Sequence, residues 1–564
     1  MSISSELSAQ VQLWIAQDPD PVTRNQLTQL AADANVNDAA LRELEDAFSA
    51  PLEFGTAGLR GPLGPGPNRM NRVTVLQAAA GLAKYLVANG EIGRPIVIGF
   101  DARYNSDVFA NDTAQVMAGA GLKPIIFSHV VPTPVLAYSI FQLSACAGVM
   151  VTASHNPAHD NGYKVYLSDG RQIVSPVDAE ISKQIRSVVD VRNITLATEI
   201  EISSEIITTA YVAAATQLIA SGPTTSSQRK EIKSVYTAMH GVGWQTLKQV
   251  FIAAQLAEPI TVAEQRDPDP AFPTVAFPNP EEEGALDLAL ALAKQTAADV
   301  LIANDPDADR LAIALPIIAN DWQALRGDQI GCLLAWWIIE RSGDQKQIGT
   351  YSNSIVSSML LEQIAKHSGL NYEATLTGFK WVSRVPNLLF GYEEALGYCV
   401  DPQNVKDKDG ISAAAMFVEM MAFLAQSSKT PWDILDELAL SYGHHGTDQI
   451  VVRVTEVAQV GLVMSGLRNS PPKLLGGMAV SRIDDLAMGL GKLPATDAVV
   501  IQLAGNGEVE NARVIIRPSG TEPKIKCYLE VVVRNSNLLL AQQISDNALR
   551  VLAKDAAPLL NGGN

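Results

Sequence analysis

The chain is poor in the features that mark several large protein classes. It has four cysteines in 564 residues, Cys146, Cys332, Cys399 and Cys527, with no CxxC pair among them. That excludes a thioredoxin-type redox motif and a zinc ribbon, and it fits free core thiols in a reducing cytoplasm better than two disulfides. Net positive charge is absent: 42 Lys and Arg face 60 Asp and Glu, a formal charge of -18. No basic patch interleaved with aromatics occurs, so neither nucleic acid nor an anionic membrane is an expected general partner. The first residues, Met1 to Glu6, have no basic segment leading into an apolar one, so no secretory signal is expected. The most apolar helical stretch, Ile330–Ile339, is about half of what spans a bilayer. A cytoplasmic protein is expected.

What is present is an ordinary globular composition, 47% hydrophobic and 18% charged, on a chain too long for one core. At ~150 residues per domain, about four domains are expected. Residues 1–50 carry apolar positions at helical spacing (Leu41, Leu44, Phe48) and predict a helical extension. Beyond residue 73, helical segments alternate with short apolar strands: helix 74–88, strand 95–100, helix 107–120, strand 123–127. That alternation predicts layered α/β units. Ser221 to Ser227 reads as a linker, Gly327-Asp328 precedes the Trp336-Trp337 helix, and Gly443-His444-His445-Gly446 punctuates before a strand over 449–454. The boundaries give an extension plus α/β domain (1–225), two α/β domains (226–325 and 326–445) and a β-rich α+β domain (446–564).

The informative residues lie where apolar runs end. Ala147–Val151 runs into Thr152-Ala153-Ser154-His155-Asn156-Pro157, which places a serine on a polar turn. It is no hydrolase elbow, because Thr152 and Asn156 stand where glycines belong. It is no HExxH zinc helix, because Asn156 replaces the glutamate and Pro157 would break the helix. A plain Ser/Asn/Pro turn without chemistry stays open. Val300–Ala303 runs into Asn304-Asp305-Pro306-Asp307-Ala308-Asp309-Arg310. Three alternating carboxylates suit a hard divalent cation, and an EF-hand is excluded by Arg310 and Pro316 at its sixth and twelfth positions. Carboxylates ~4 Å apart repel by roughly 4 kcal/mol per pair at an effective dielectric of 20, which Mg²⁺ would offset. An exposed acidic loop is the alternative.

Three further loops suggest anion or sugar binding. Arg517-Pro518-Ser519-Gly520-Thr521-Glu522-Pro523 offers a guanidinium, two hydroxyls and a run of amides for a phosphate, or forms a plain turn. Glu393-Glu394 in an apolar segment could accept from vicinal hydroxyls, or be a surface pair. Thr377-Gly378-Phe379-Lys380 puts a lysine on a glycine turn. The Gly-rich 55–66 segment follows no clear strand and holds Pro62 and Pro65, so it is a poor dinucleotide fingerprint, although Arg60 within it could reach an anion. His240 reads as structural.

In this order the loops resemble those of the α-D-phosphohexomutases, the phosphoglucomutase and phosphomannomutase superfamily. The resemblance runs from about Phe54 to Glu530, and Thr-Ala-Ser-His-Asn-Pro, Asp-Pro-Asp-Ala-Asp-Arg and Arg-Pro-Ser-Gly-Thr-Glu-Pro carry it. It implies four domains, three mixed α/β and one β-rich, around a central cleft. It implies that Ser154 is the phosphoserine and that Asp305, Asp307 and Asp309 hold one Mg²⁺ together with a phosphoserine oxygen. It sets Arg60, His155 and Lys164 near the transferring phosphate. Arg310, Thr377, Gly378, Lys380, Glu393 and Glu394 are implied on the sugar side, and Arg517, Ser519, Gly520 and Thr521 on the phosphate that stays put. One departure stands out. Many members carry Glu-x-Ser-Gly-His, where this chain has Glu394-Ala395-Leu396-Gly397-Tyr398, closer to the branch that includes phosphopentomutases.

The implied activity is a reversible shift of phosphate between positions 1 and 6 of an aldohexose, through a bisphosphosugar that also serves as activator. Glucose is favoured, mannose is close behind, and a pentose is the runner-up. A sugar phosphatase or a non-catalytic sensor would use the same residues. The expected partner is a small phosphosugar, with the protein a monomer or homodimer.

Overall fold

The computed structural model describes residues 3–53, 58–318, 321–345, 347–453, 457–518 and 524–561. The chain forms two compact bodies: residues up to Leu325 with Gly397–Glu419, and Arg326–Leu396 with the residues from Met420 onward.

The first body opens with three helices, Ser5–Gln17, Pro21–Asp33 and Asp38–Ala47. Each starts on a side-chain cap, from Ser4, Asp20 and Asn37, which satisfies amides that a helix start leaves open. A six-stranded sheet follows, in the spatial order Leu59–Pro62, Asp160–Leu167, Ala147–Val151, Pro95–Phe100, Lys123–Phe127, Glu201–Ser203. The last four run parallel; Asp160–Leu167 and Leu59–Pro62 are antiparallel additions. All five residues of Ala147–Val151 are buried, which is why this strand reads as an unbroken apolar run rather than an alternation. A second sheet has the order Asp321–Ala324, Ala312–Ile318, Val300–Ala303, Ser234–Thr237, Ile260–Thr261. Val300–Ala303 is likewise wholly buried.

The second body holds parallel strands Asn371–Thr375, Thr350–Ser354 and Leu388–Glu393, with the helix Gly327–Glu340 carrying the tryptophans. Its β-rich portion is an antiparallel sheet in the order His444–Arg453, Lys524–Val533, Asn511–Pro518, Val499–Ala504, Met478–Asp485, Leu474–Leu475. The amphipathic helix Leu538–Ala556 covers it with Leu549 and Leu552.

Three local differences from the sequence reading have physical causes. Leu59–Pro62, where the sequence reading assigned no element, is an edge strand whose Pro62 needs no ladder partner on its outer side. Ser226 and Ser227 belong to the helix Ser226–Glu231, begun by a Thr225 capping box, so only the preceding residues form a connection. The strand expected over 449–454 begins at His444, because His445 is buried on Glu530 and His444 pairs with Val533. All four cysteines are buried and unpaired. Among the described residues, no helix is long and apolar enough to cross a membrane.

Candidate active site

Ser154 follows the buried strand Ala147–Val151 and is itself 2% exposed. Its φ of 52° lies in the left-handed region, uncommon for a non-glycine residue and held only where surroundings over-determine it. The surroundings here are explicit. The Ser154 amide donates to Thr152 Oγ1 at 2.9 Å, and that hydroxyl donates to Asp101 at 2.6 Å. The Arg103 guanidinium, wholly buried, donates to the carbonyls of Ser154 and Asn156 at 2.6 Å, Pro157 at 2.7 Å and Asp160 at 3.1 Å. One side chain thereby gathers four carbonyls of the serine turn.

The Asp loop meets this turn. Ser154 Oγ donates to Asp305 Oδ2 at 2.7 Å. The loop's path is fixed by Ala308 in the left-handed region, φ 54°, and by close packing against Gly241. A Cβ on Gly241 would lie 2.3 Å from the Pro306 Cα, so only glycine lets the two backbones approach. His240, the residue before Gly241, is buried and hydrogen-bonded to Thr274 Oγ1 at 2.8 Å.

The three carboxylates are buried, and their ligand atoms lie within 4.8 Å of one another. Lys164 Nζ donates to Asp307 at 2.6 Å and to Asp309 at 2.8 Å, and Thr133 Oγ1 donates to Asp307 at 2.5 Å. Asp307 Oδ1 and Asp309 Oδ1 are buried without a hydrogen-bond partner. A buried carboxylate oxygen left unpaired is costly, and two of them in an all-oxygen set fit a hard divalent cation. Burial, and then the neighbouring Asp307 and Asp309 charges, hold the Asp305 carboxyl well above its usual range. Burial works against the charge on Lys164, but Asp307 and Asp309 more than offset it and raise its pKa. His155 Nδ1 lies 3.1 Å from Ser154 Oγ; burial, followed by Arg310 and Arg60, pushes its imidazole well below the ordinary value. Arg60 reaches the same turn through Asn156 Oδ1 at 3.4 Å, and Arg310 Nε lies 3.9 Å from Asp305. Ser154, His155, Lys164, Arg60, Arg310 and the Asp triplet are thus brought together.

In the second body, the Gly378 amide donates to Glu393 at 2.7 Å, so the Thr377–Lys380 turn and the glutamate pair form one group. Lys380 and Glu393 are both buried, which removes the surface-pair alternative for Glu393. Glu394 accepts from Ser354 Oγ at 3.0 Å and Ser357 Oγ at 3.1 Å. Arg517 lies near the end of the strand Asn511–Pro518, on the same sheet as Tyr528. Ser519, Gly520 and Thr521 lie outside the described residues.

Sequence reasoning missed Arg103, Asp101, Thr133 and Lys408, whose Nζ lies 3.2 Å from Asp309. The signal for the first two existed: Asp101-Ala102-Arg103 follows the apolar strand Pro95–Phe100, just as the other two loops follow theirs. Arg103→Lys keeps a charge but cannot span four carbonyls. It is expected to lower kcat about 100-fold with KM changed less than about threefold, since displacing a reacting oxygen by ~1 Å has that effect. Steady-state kinetics check this, and an unchanged kcat would remove the clamp's role.

Family models match the chain in four segments described as phosphoglucomutase/phosphomannomutase: alpha/beta/alpha domain I over 51–192, domain II over 209–316, domain III over 326–442 and the C-terminal domain over 492–546. A Haemophilus influenzae protein named "Probable phosphomannomutase" is 46% identical over 467 residues, covering 82% of this chain and 93% of that one. A Mus musculus phosphopentomutase is 35% identical over 576 residues, covering 95% and 92%. The open-form crystal structure of parafusin, a phosphoglucomutase from Paramecium, superposes with a TM-score of 0.69 at 16% identity, over 91% of this chain and 97% of that one, which speaks to the fold.

Proposed function

Since the chain belongs to the phosphoglucomutase/phosphomannomutase family and is therefore an intramolecular phosphotransferase, we propose that it interconverts hexose 1-phosphate and hexose 6-phosphate through a phosphorylated Ser154. The observation that carries this reading is the Ser154 hydroxyl 2.7 Å from Asp305, at the rim of a buried triplet with two unpartnered carboxylate oxygens.

In this reading the phosphoryl group leaves Ser154 Oγ for the free hydroxyl of the bound sugar phosphate, giving a bisphosphosugar. The intermediate turns over on the enzyme and returns its other phosphate to Ser154. Asp305, Asp307 and Asp309, with a phosphoserine oxygen, would hold one Mg²⁺, which supplies neutralisation of charge on the transferring group. Arg60 and Arg310 add positive charge beside the serine turn, and His155 is placed to hold a proton at the same oxygen. Lys380, with the Thr377-Gly378 turn, and the Glu393–Glu394 pair orient the sugar. Arg517, with Ser519, Gly520 and Thr521, grips the phosphate that is not transferred. A bisphosphorylated sugar primes the serine as activator. The division 1–225, 226–325, 326–445 and 446–564 assigns one of these loops to each domain. The protein acts on this reading in the cytoplasm on a small phosphosugar, as a monomer or homodimer.

Glucose is the first sugar, with mannose next. A pentose is the second reading, favoured by the phosphopentomutase that matches nearly end to end and by Ala395-Leu396 in the sugar loop. A coupled assay of glucose 1-phosphate, mannose 1-phosphate and ribose 1-phosphate, run beside an inorganic phosphate assay, tests both. The expected result is the highest kcat/KM for glucose 1-phosphate with negligible phosphate release. A higher value for ribose 1-phosphate selects the pentose reading, and stoichiometric phosphate release rejects a mutase.

A further inference from the structure

The residues after the strand Thr350–Ser354 form a turn whose connections exceed what its own fold requires. Ser354 and Ser357 are 1% and 2% exposed, and their hydroxyls lie 2.9 Å apart. The Glu394 amide donates to Ser357 Oγ at 3.1 Å. Each hydroxyl has one proton to give, and both can go to Glu394 Oε2, leaving Oε1 to a ligand hydroxyl.

The turn is in turn held from the antiparallel sheet. Arg513 donates to the carbonyls of Ile355 at 3.0 Å and Ser357 at 2.7 Å, and to Glu530 at 2.6 Å. Glu530 accepts from Ser358 Oγ at 2.7 Å and the Met359 amide at 2.9 Å. Burial opposes its charge, but Arg513 and His445 hold its carboxyl down at about 2. Ile355 and Val356 pack on Tyr528, Ile515 and Val500 beneath these polar contacts. Arg513 and Arg517 stand four residues apart on one strand.

We propose that Ser354 and Ser357 are positioning residues that fix the Glu394 carboxylate on the sugar's vicinal hydroxyls, with Arg513 and Glu530 tying this turn to the strand that bears Arg517. Sugar recognition and grip on the resting phosphate then share one rigid element. The serine hydroxyls come from a different strand end than the glutamate, and they set which hydroxyl pattern the carboxylate meets.

This rests on the reading that Glu394 binds sugar hydroxyls, so the test separates the two. Wild type, Ser354→Ala, Ser357→Ala, Glu394→Gln and both Ser/Glu double variants are compared for kcat and KM with glucose 1-phosphate and ribose 1-phosphate. Thermal midpoints are measured alongside. Each serine variant is expected to lose about tenfold in kcat/KM, mainly through KM, and to shift the ratio between the two sugars. On the Glu394→Gln background the same serine changes are expected to cost less than about twofold. Arg513→Lys is expected to raise KM in the same direction.

If Glu394→Gln leaves KM and sugar preference untouched, the glutamate reading fails. If Glu394→Gln acts but the serine variants do not, or their effects simply add, the positioning role is overturned. A serine variant that lowers the thermal midpoint and slows both sugars equally overturns it as well. Should Ser357→Ala fail to fold, the Ser354→Ala cycle decides.

Discussion

Ser154→Ala is expected to lower mutase turnover by about four orders of magnitude or more, even with saturating bisphosphate activator. Removing a nucleophile that works as part of a unit has effects of that size. The geometry explains why nothing substitutes. Ser154 Oγ is the oxygen that meets Asp305, and its left-handed backbone is pinned by Thr152 and Arg103. The neighbouring donors, His155 and Lys164, are nitrogen groups tied to the serine and to Asp307 and Asp309. A coupled isomerisation assay reads the loss, and phosphate incorporation from a labelled bisphosphosugar should vanish with it. Wild-type turnover in the alanine variant would sink the phosphoserine.

Removal of divalent metal is expected to have the next largest effect. Chelation should reduce kcat by about three orders of magnitude, with recovery on adding Mg²⁺, because the transferring group keeps its charge without a cation to neutralise it. Asp307→Asn should give a comparable loss that added Mg²⁺ does not recover. Asp307 offers an unpartnered Oδ1 toward the site, while its Oδ2 is taken by Thr133 and Lys164. Calorimetric titration with Mg²⁺ alone separates binding from chemistry. Full activity after exhaustive chelation, or unaltered Mg²⁺ affinity in Asp307→Asn, would reject the triplet as the metal site.

The strand-then-loop plan was legible because central strands covered on both faces, such as Ala147–Val151 and Val300–Ala303, must be continuously apolar, and polar residues mark where they end. The sequence pattern alone therefore puts the serine and aspartate loops at strand ends. Leu59–Pro62 was hidden because a four-residue edge strand with Gly61 and Pro62 has no such pattern. His444 and His445 looked like punctuation because neither the pairing of His444 with Val533 nor the burial of His445 on Glu530 can be read from a Gly-His-His-Gly string. Arg103 was missed for a different reason. It acts on main-chain carbonyls, which every residue has, so its partners leave no trace in side-chain identity. Ser354 and Ser357 stand some 40 residues from Glu394, a distance closed only by the parallel pairing of Thr350–Ser354 with Leu388–Glu393.

Lys164 spans Asp307 and Asp309 with one ammonium, so the strand Asp160–Leu167 supplies the acidic loop with a counter-charge. Loss of a bound ion is therefore expected to stop the reaction without unfolding the chain. Chelation should lower the thermal midpoint only by what ion binding to the folded state adds, leaving the chain folded, and activity should return on resupply without any refolding lag.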